Sequence, residues 1–452
     1  MMQLNYNQNL SETALIHRLA AYVPFTEYSP SLLIQGKVVR LVGLTLEVIG
    51  CLAPIGQHCL IQMPDQAPIE AEVVGFSADK TFLMPIRGWF GIKPGARVIP
   101  IDTDHSVPIG NGLLGRIIDG YGLPIDGKGP LKVDGYTSLY HTPTNPLARR
   151  VITQPLDVGV RSINSLLTVG QGQRIGLFSG SGVGKSALLG MMTKFTDADV
   201  TVVGLIGERG REVKEFIDTI LGEAGMKRSV VVASPADDPP LLRIHGAMIA
   251  TSIAEYFRDQ GKNVLLLLDS LTRYAQAQRE IALAMGEAPA TRGYPSSVFA
   301  RIPQLVERAG NGAEGQGSIT AFYTVLMEGD DHQEPIVDAA RAILDGHIVL
   351  SRQLAESSIY PAIDIEASVS RVMPQLVSED WLIKSQKFKQ LYSAYEQNKD
   401  LINVGAYHRG ANAKIDLAVS KRPAIENFLS QSLHSCVNLS ESVEALNTLM
   451  SV

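Results

Sequence analysis

The stretch FSGSGVGKS, residues 178–186, places glycines and small residues around a single lysine. An apolar run, RIGLF, precedes it, and a helical pattern, KSALLGMMTKF, overlaps its end. The pattern G-x-x-x-x-G-K-[ST] at a strand-to-helix turn binds nucleotide phosphates, because its backbone N–H groups turn inward around the phosphate oxygens. Ser179 stands where that pattern has its first glycine. We predict a nucleoside triphosphate site here; the alternative is a flexible glycine turn.

Two residues of this loop carry the expected phosphate and metal chemistry. We expect Lys185 to reach the outer phosphates and the Ser186 hydroxyl to bind Mg²⁺. The start of the following helix adds positive potential at the same place. The residues predicted to surround the nucleotide phosphates are Ser179, Gly180, Ser181, Gly182, Val183, Gly184, Lys185, Ser186 and Ala187.

Asp269 ends a second apolar run, NVLLLLD. Because the carboxyl ends of parallel strands meet at one edge of a sheet, this carboxylate is expected beside the phosphate loop, where it would serve Mg²⁺. A helical pattern also begins just after it, so an ordinary helix cap is the alternative reading.

Glu208 and Arg209 follow another apolar run, DVTVVGLIG, directly. A carboxylate at that strand end can orient and polarise water for in-line attack on the γ-phosphate. We predict this role for Glu208. The alternative is a solvated run of charges at the start of a helix.

Hydrophobic patterning divides the chain into three regions. Residues 30–100 contain six short apolar or alternating runs separated by turn residues, which predicts a small β-barrel. From about residue 150, wholly apolar runs alternate with helical ones, as in a mainly parallel sheet between helices. From about residue 378 only helical patterns remain. The Gly-, Asp- and Pro-rich segment 113–131 is interpreted as a boundary.

Composition narrows the classes of function. The net charge of −6 argues weakly against a nucleic-acid-binding protein. Three cysteines form no CxxC pair, and no HExxH occurs, so we expect a reducing compartment and no metal site built by protein ligands alone. The N-terminus resembles no secretory signal, and no apolar run approaches the ~18 to 20 residues that span a bilayer. We therefore expect a cytoplasmic protein whose membrane association is peripheral and depends on partners.

Long motifs resemble the hexameric rotary ATPase family, and most closely the ATPases of the flagellar type III export apparatus. The resemblance extends from about residue 25 to the end. It implies an α/β RecA-like P-loop core with an N-terminal small β-barrel and a C-terminal helical domain. The segments that carry it are FSGSGVGKSALLGMM, GERGREV, LLLLDSLTRYAQAQREIALAMGE, GYPSSVFARIPQLVERAG, EGDDHQEPIVDAARAILDGHIVLSR and YPAIDIEASVSRVMP. The domains expected are a regulatory segment (1–24), a barrel (25–100), an ATP-binding domain (101–376) and a helical domain (377–452).

The resemblance also assigns roles. It implies that ATP is the substrate and Mg²⁺ the cofactor, and that Lys185 and Ser186 act at the phosphates. Glu208 corresponds to the family's catalytic glutamate, Arg209 to its neighbouring arginine and Asp269 to the metal-side aspartate. The remaining positions implied are Arg273 near the phosphates, Tyr360 stacked on adenine, Arg371 as an arginine finger acting on an adjacent protomer, and residues 285–295 facing a central channel.

The partners implied are the other protomers of a homohexamer, a central stalk protein, the export gate, chaperones and export substrates. At the N-terminus, residues 11–22 have the pattern of a short amphipathic helix. On pattern alone this helix packs on the chain's own body. The resemblance instead favours docking of an inhibitory, stator-like regulator. The protein is expected at the cytoplasmic face of the inner membrane, held there by partners.

Alternative functions follow from the same residues. A virulence-type secretion ATPase would differ around the phosphate loop, whereas GSGVGKSALLGMM and GSITAFYTVLMEGDD resemble the flagellar ATPases. The catalytic subunit of a proton-translocating rotary synthase would carry an acidic DELSEED segment, which this sequence lacks. A ring-shaped RNA translocase would show basic and aromatic residues on one barrel face. The few aromatics of segment 30–100 have no basic stripe between them, so no nucleic-acid partner is expected.

Overall fold

The computed structural model describes most of the chain as two compact units, the first ending at residue 103 and the second beginning at residue 104. The amphipathic helix predicted at residues 11–22 lies outside the described residues. The residues described are 35–451 without 64–66, 102–105, 142–143, 328, 330 and 332.

The first unit is a closed barrel whose strands, among the residues described, follow the order β1-β2-β5-β4-β3-β6, with antiparallel neighbours. Alternate residues such as Val38, Leu46, Val48 and Leu83 are buried inside it. Each strand coincides with one of the six predicted runs, so the barrel prediction is confirmed. The strands are β1 (Gly36–Val42), β2 (Thr45–Ile49), β3 (His58–Ile61), β4 (Ile69–Ser77), β5 (Lys80–Pro85) and β6 (Arg97–Pro100).

The second unit is built on a largely parallel sheet. Two small antiparallel pairs, β7 with β9 and β10 with β11, accompany it. The strands of this unit are β7 (Ser106–Ile109), β8 (Ile117–Asp119), β9 (Gly135–Ser138), β10 (Pro155–Leu156), β11 (Val169–Gly170), β12 (Arg174–Ser179), β13 (Val200–Ile206), β14 (Ser229–Ser234), β15 (Asn263–Asp269), β16 (Gly310–Asn311), β17 (Ser318–Leu326), β18 (Gly346–Leu350) and β19 (Ile363–Ser370). Within the described part of the chain the sheet order is β19-β18-β12-β17-β15-β13-β14-β8, with β16 paired to β17.

Helices cover this sheet and form the C-terminal region. A π-helix at Phe216–Leu221 separates α3 from α4. The α-helices are α1 (Arg161–Leu166), α2 (Lys185–Phe195), α3 (Gly210–Glu215), α4 (Gly222–Met226), α5 (Pro240–Asp259), α6 (Leu271–Ala284), α7 (Ser296–Val306), α8 (Pro335–Ile343), α9 (Arg352–Glu356), α10 (Met373–Leu376), α11 (Glu379–Asn403), α12 (Ala413–Leu429) and α13 (Leu439–Met450).

The central strands β12, β13 and β15 position the site. They are apolar and buried on both faces, as parallel strands between helices must be. β12 and β15 both pair in parallel with β17, and β13 pairs in parallel with β15. Their carboxyl ends therefore share one edge of the sheet, and the phosphate loop, Glu208 and Asp269 all follow those ends.

The boundary predicted at residues 113–131 was wrong. This segment contributes β8, which pairs in parallel with β14 and so extends the sheet by one strand. Its turn residues are held by a charged group: Arg116 donates to Asp126 from Nε at 2.6 Å, and the guanidinium lowers the pKa of that carboxyl far below its usual range. A strand of three residues is too short to produce a recognisable pattern among so many glycines.

The C-terminal helices pack on the α/β core. Phe388 of α11 is fully buried, with its ring centroid 5.0 Å from that of Phe428 in α12. The Trp381 indole N–H donates to the Ser165 carbonyl of α1 at 2.8 Å. The helical prediction for this region is confirmed. Among the residues that the structure describes, no helix combines the length and apolar character that crossing a membrane requires.

Candidate nucleotide-binding site

The phosphate loop connects β12 to α2, as the sequence predicts. Gly184 occupies the cap position before Lys185 with φ 90°, and Gly182 has φ 78°; these are conformations that glycine adopts without steric cost. Ser179, which replaces the first glycine of the motif, is the last strand residue of β12, and its carbonyl accepts from the Met327 N–H at 2.9 Å. It needs no left-handed backbone, so a side chain is accommodated there.

Lys185 lies between two carboxylates. Its Nζ is 3.0 Å from Oε1 of Glu208 and 2.6 Å from Oδ1 of Asp269. The three side chains are at most 13% exposed. The sequence places these residues at the ends of three different strands, and the fold brings them into direct contact.

Burial and charge compete at this cluster. Burial alone lowers the pKa of Lys185, but the Asp269 and Glu208 carboxylates outweigh it and raise the pKa above the usual lysine value. At Asp269 burial raises the pKa of the carboxyl and Lys185 opposes the rise. The cluster carries a net negative charge when all three groups are ionised, so a cation placed beside it is electrostatically favoured.

Asp269 is not the helix cap that the alternative interpretation required. The cap of α6 is Ser270, whose Oγ accepts from the Arg273 N–H at 3.1 Å. The Asp269 carboxylate instead faces Lys185 and accepts from Thr324 Oγ1 at 2.6 Å. Thr324 carries no local sequence signal for this position, because it lies within the largely apolar run of β17. Only the order β12-β17-β15 places this hydroxyl beside Asp269.

Arg209 differs from Glu208 in exposure. Its side chain is 84% exposed, and its Nη1 lies 3.7 Å from Oε1 of Glu212 on the first turn of α3. The backbone at Glu208 is fixed, since its carbonyl accepts from the Ala236 N–H at 3.0 Å. Glu208 therefore faces the phosphate loop, while Arg209 points to the surface of this chain.

Arg273 stands on the first turn of α6, against the strand that leads to Glu208. A Cβ built on Gly207 would lie 2.7 Å from Cβ of Arg273, so only glycine permits this approach. The guanidinium donates from Nη1 to Gln276 at 2.8 Å. Arg273 is thus close to the segment that carries Glu208, and no hydrogen bond between the described side chains joins it to Lys185.

Tyr360 packs over the phosphate loop. A Cβ built on Gly184 would meet Cε1 of the Tyr360 ring at 3.3 Å, so the ring lies directly against the loop backbone. The side chain is 39% exposed. An aromatic face that is half open beside a phosphate loop is suited to a planar base.

Arg371 lies at the other end of β12. Its N–H donates to the Asp345 carbonyl, and the Asp345 N–H donates to the Arg174 carbonyl at the start of that strand. At roughly 3.3 Å per residue, the path from Arg174 to Ser179 spans about 16 Å. The exposed guanidinium donates to the Arg341 carbonyl at 3.0 Å. The structure therefore gathers Lys185, Glu208 and Asp269 but leaves Arg371 apart from them.

Two family models match the chain. Residues 159–370 match the ATP synthase alpha/beta family, nucleotide-binding domain. Residues 377–448 match the T3SS EscN ATPase C-terminal domain. The first match covers the α/β core except for its earlier strands, such as β8, and the second covers most of the C-terminal helical region.

Similar proteins agree with both matches. A flagellum-specific ATP synthase of Pseudomonas aeruginosa is 58% identical, covering 98% of each chain. One from Salmonella typhimurium is 55% identical, covering 93% of this chain and 94% of that protein. The assembled ATPase EscN of the enteropathogenic E. coli type III secretion system has 44% identity and a TM-score of 0.87, covering 92% of this chain and all of that one. A structure of EscN in complex with its central stalk EscO gives 43% identity and a TM-score of 0.83, with the same coverage.

Identity of this extent, together with the agreement in fold, establishes the relationship. The chain belongs to the ATP synthase alpha/beta family, as an ATPase of the branch that contains the flagellum-specific ATP synthases and the type III secretion ATPases.

Proposed function

We propose that this chain hydrolyses Mg-ATP at sites formed between identical protomers of a ring, and that the energy supports flagellar protein export. The observation that carries the proposal is the separation just described. Lys185, Glu208 and Asp269 meet at one edge of the sheet, whereas Arg371 lies beyond the opposite end of β12. The site of one chain thus lacks an arginine finger, and the same chain carries Arg371 far from its own site.

The contacts of Lys185 and Glu208 indicate an order for the steps of ATP binding and hydrolysis. Lys185 exchanges its two carboxylate partners for the outer phosphates of ATP. This exchange releases the Glu208 carboxylate, which then accepts a hydrogen bond from the attacking water and aligns it for in-line displacement. The ring of Tyr360 stacks on the adenine, and Arg273 supports the phosphate side from α6. Arg209, exposed beside Glu208, acts at the protomer interface.

The oxygen donors beside Lys185 fit Mg²⁺. Among the described residues no group of three or more His, Cys, Asp or Glu side chains could hold a metal by itself. Mg²⁺ commonly takes one or two carboxylates together with phosphate oxygens and water. Asp269 and the Ser186 hydroxyl would supply the protein's share, and the ion would neutralise charge on the phosphates.

A finger supplied by a neighbour explains the position of Arg371. An arginine about one strand length away from its own phosphate loop is too far to act there. It is exposed, so it is free to enter the site of an adjacent copy. A head-to-tail arrangement of identical chains gives every protomer one site and one finger, and it closes into a ring. We propose a homohexamer.

The relatives support the proposed assembly and pathway. EscN has been solved as an assembled ATPase and in complex with its central stalk. By analogy this chain would assemble around a stalk protein, which residues 285–295 would face. Higher identity to flagellum-specific proteins than to EscN favours flagellar over virulence-type export. The export gate, chaperones, export substrates and a regulator bound to residues 1–24 complete the proposed partners, which would hold the protein at the membrane.

The proposal is tested by ATP hydrolysis of the purified chain with Mg²⁺ over a range of protein concentrations. Specific activity that rises with concentration and then saturates is expected, because the sites form on association. Activity that is independent of concentration in a dilute monomer would contradict the shared site. Activity that requires a second homologous chain would favour a rotary synthase subunit.

A further inference from the structure

Gln431 is a buried amide at the junction between the helical region and the nucleotide site. It follows the end of α12 and is 7% exposed. Its Oε1 accepts from the Arg161 N–H at 2.8 Å, and its Nε2 donates to the carbonyls of Gly159 at 2.8 Å and Ser435 at 2.9 Å. A buried amide with both its oxygen and its nitrogen paired holds its own backbone in one place.

The backbone of Gln431 is directed at Tyr360. Its N–H donates to the Tyr360 carbonyl at 2.8 Å. The ring of the same tyrosine lies against Gly184 of the phosphate loop. One hydrogen bond therefore joins the end of α12 to the residue that packs over the loop.

The side chain of Gln431 is also connected to the nucleotide site, through Gly159 and helix α2. Its partner Gly159 is packed against the last residue of α2, since a Cβ built on Gly159 would lie 2.2 Å from Cβ of Phe195. That helix begins at Lys185. Gln431 thus contacts segments that adjoin both the phosphate-loop end and the far end of α2.

Arg161 reinforces this junction. Its Nη2 donates to the Ser430 carbonyl at 2.6 Å, and its guanidinium carbon lies 5.3 Å from the centre of the Phe428 ring. The residues flanking Gln431 on α12 and in the following loop are thereby fixed to the start of α1. A shift of α12 would be transmitted to Tyr360 rather than absorbed locally.

We propose that Gln431 is a positioning residue that holds the Tyr360 ring in place for the base of ATP. The inference rests on the proposed role of Tyr360 as the adenine-stacking residue. Gln431 touches no reacting atom, so its loss acts on nucleotide affinity and leaves the chemical step intact. The hydrogen bond from the Gln431 N–H to the Tyr360 carbonyl also couples the position of the helical region to the binding of nucleotide.

The test compares four single variants: Tyr360→Ala, Gln431→Ala, Gln431→Asn and Gln397→Ala. Gln397 is the matched control, because it is exposed on α11 and donates only locally, to Ser393. For each variant, KM and kcat for Mg-ATP are measured, together with the inhibition constant of inorganic tripolyphosphate. Tripolyphosphate has the phosphate chain and no base, so it reports on the phosphate loop separately from the base. Gln431→Asn keeps an amide that can both donate and accept but is one methylene shorter, and the same direction of change in KM is expected of it if Gln431→Ala does not fold.

We expect Tyr360→Ala to raise KM for ATP by about tenfold, since base–aromatic stacking is lost. Gln431→Ala should raise KM roughly fivefold, within the range of coupling between sites, with kcat changed less than about twofold. Tripolyphosphate inhibition should be unchanged in both variants, and Gln397→Ala should match the wild type.

Two results overturn the inference while leaving the role of Tyr360 intact. One is a raised KM in Tyr360→Ala with a normal KM in Gln431→Ala. The other is an equal loss of ATP and tripolyphosphate binding in Gln431→Ala, which would indicate general damage to the loop. A normal KM in Tyr360→Ala would instead refute the stacking role itself, and the inference with it.

Discussion

Lys185 and Asp269 form an ion pair in the nucleotide site, with 2.6 Å between Nζ and Oδ1, and Asp269 is 3% exposed. The lysine that we propose as the phosphate ligand therefore neutralises a buried carboxylate in the structure without nucleotide. Glu208 shares the same ammonium group at 3.0 Å. If Lys185 binds the phosphates as proposed, nucleotide binding breaks both contacts, and Lys185 then has a structural role as well as the proposed functional one.

Replacing Lys185 by Met should destabilise the fold as well as abolish hydrolysis. Removing one partner of a buried pair leaves an uncompensated charge, at a cost of about 3 to 5 kcal/mol. The double variant Lys185→Met with Asp269→Asn should regain part of that stability while staying inactive, because Asp269 is neutralised but Glu208 still lacks its cation. Urea unfolding without nucleotide measures both. If Lys185→Met were as stable as the wild type, the ion pair would contribute nothing to the free energy of unfolding.

Glu208→Gln should keep the shape of the site and lose the base. ATP binding is expected to persist, while kcat falls by roughly 10² to 10⁴, the range usual for general acid–base groups. Glu212→Gln is the control, because Glu212 is 46% exposed on the first turn of α3 and pairs with Arg209 at the surface. Nucleotide titration and steady-state hydrolysis distinguish the two steps. Turnover near the wild-type rate would remove Glu208 from the mechanism.

Arg371→Ala should separate binding from turnover. Within the described part of the chain the exposed guanidinium makes one hydrogen bond, to the Arg341 carbonyl, so folding and ATP affinity should be little changed. An arginine finger contributes about 10³ to 10⁵ to kcat, and a loss of that order is expected. Arg371→Lys should recover little, because it cannot reproduce the planar fork. Loss of ATP binding in parallel with kcat would argue for a role in the chain's own site.

Ser179 is expected to be neutral for activity. Its buried Oγ has no hydrogen-bond partner among the residues that the structure describes, and an unsatisfied hydroxyl costs about 1 to 3 kcal/mol. Ser179→Ala should therefore be as stable as the wild type or more so, with kcat within about threefold. Ser179→Gly, which restores the motif, should be less stable by about 0.5 to 1 kcal/mol because glycine weakens a strand. Thermal unfolding and hydrolysis assays check this. A large fall in kcat for Ser179→Ala would assign the hydroxyl a part in catalysis.

Lys389 of α11 should make the free energy of unfolding vary with pH in the alkaline range. Burial lowers its pKa from 10.5 to about 8. Between those values the unfolded chain binds the proton and the folded chain does not, so stability rises with pH through this window. Below about pH 8 Lys389 is protonated in the folded chain as well, and the free-energy cost of burying its ammonium group is fully present. Lys389→Met should accordingly stabilise the protein at pH 7, by up to about 3 kcal/mol, and remove the rise.

The control for this prediction is Lys387→Met, two residues away and exposed. Urea unfolding at pH 7 and pH 9.5 gives the comparison. Equal pH dependence in wild type and Lys389→Met would show that another group causes any rise.

The sequence allowed the phosphate loop and the carboxylates to be located, because each stands at the end of a long apolar run. Helix α2 begins at the predicted Lys185, and β15 ends at the predicted Asp269. These features arise from local patterns and from the rule that parallel strands share one carboxyl edge. The roles of Tyr360 and Arg371 came from resemblance to a family, since neither residue stands in an informative local pattern.

The features that the sequence did not predict depend on contacts between residues that are far apart in the sequence. Thr324 reaches Asp269 only because β17 inserts between β12 and β15. Gln431 lies more than 70 residues beyond Tyr360, and a lone glutamine after a helix gives no signal of its own. β8 is too short for periodicity and is identified by its pairing with β14. Strand order and long-range hydrogen bonds are set by packing of the whole unit.

Mixing two inactive variants tests the shared site most directly. Glu208→Gln chains retain the finger, and Arg371→Ala chains retain the rest of the site. In randomly mixed rings of equal parts, about one quarter of the interfaces would combine an intact Glu208 with an intact Arg371 from the neighbour. We predict that the mixture regains hydrolysis well above the sum of the two variants measured separately. A mixture no more active than that sum, in rings shown to exchange chains, would contradict a finger supplied by the adjacent protomer.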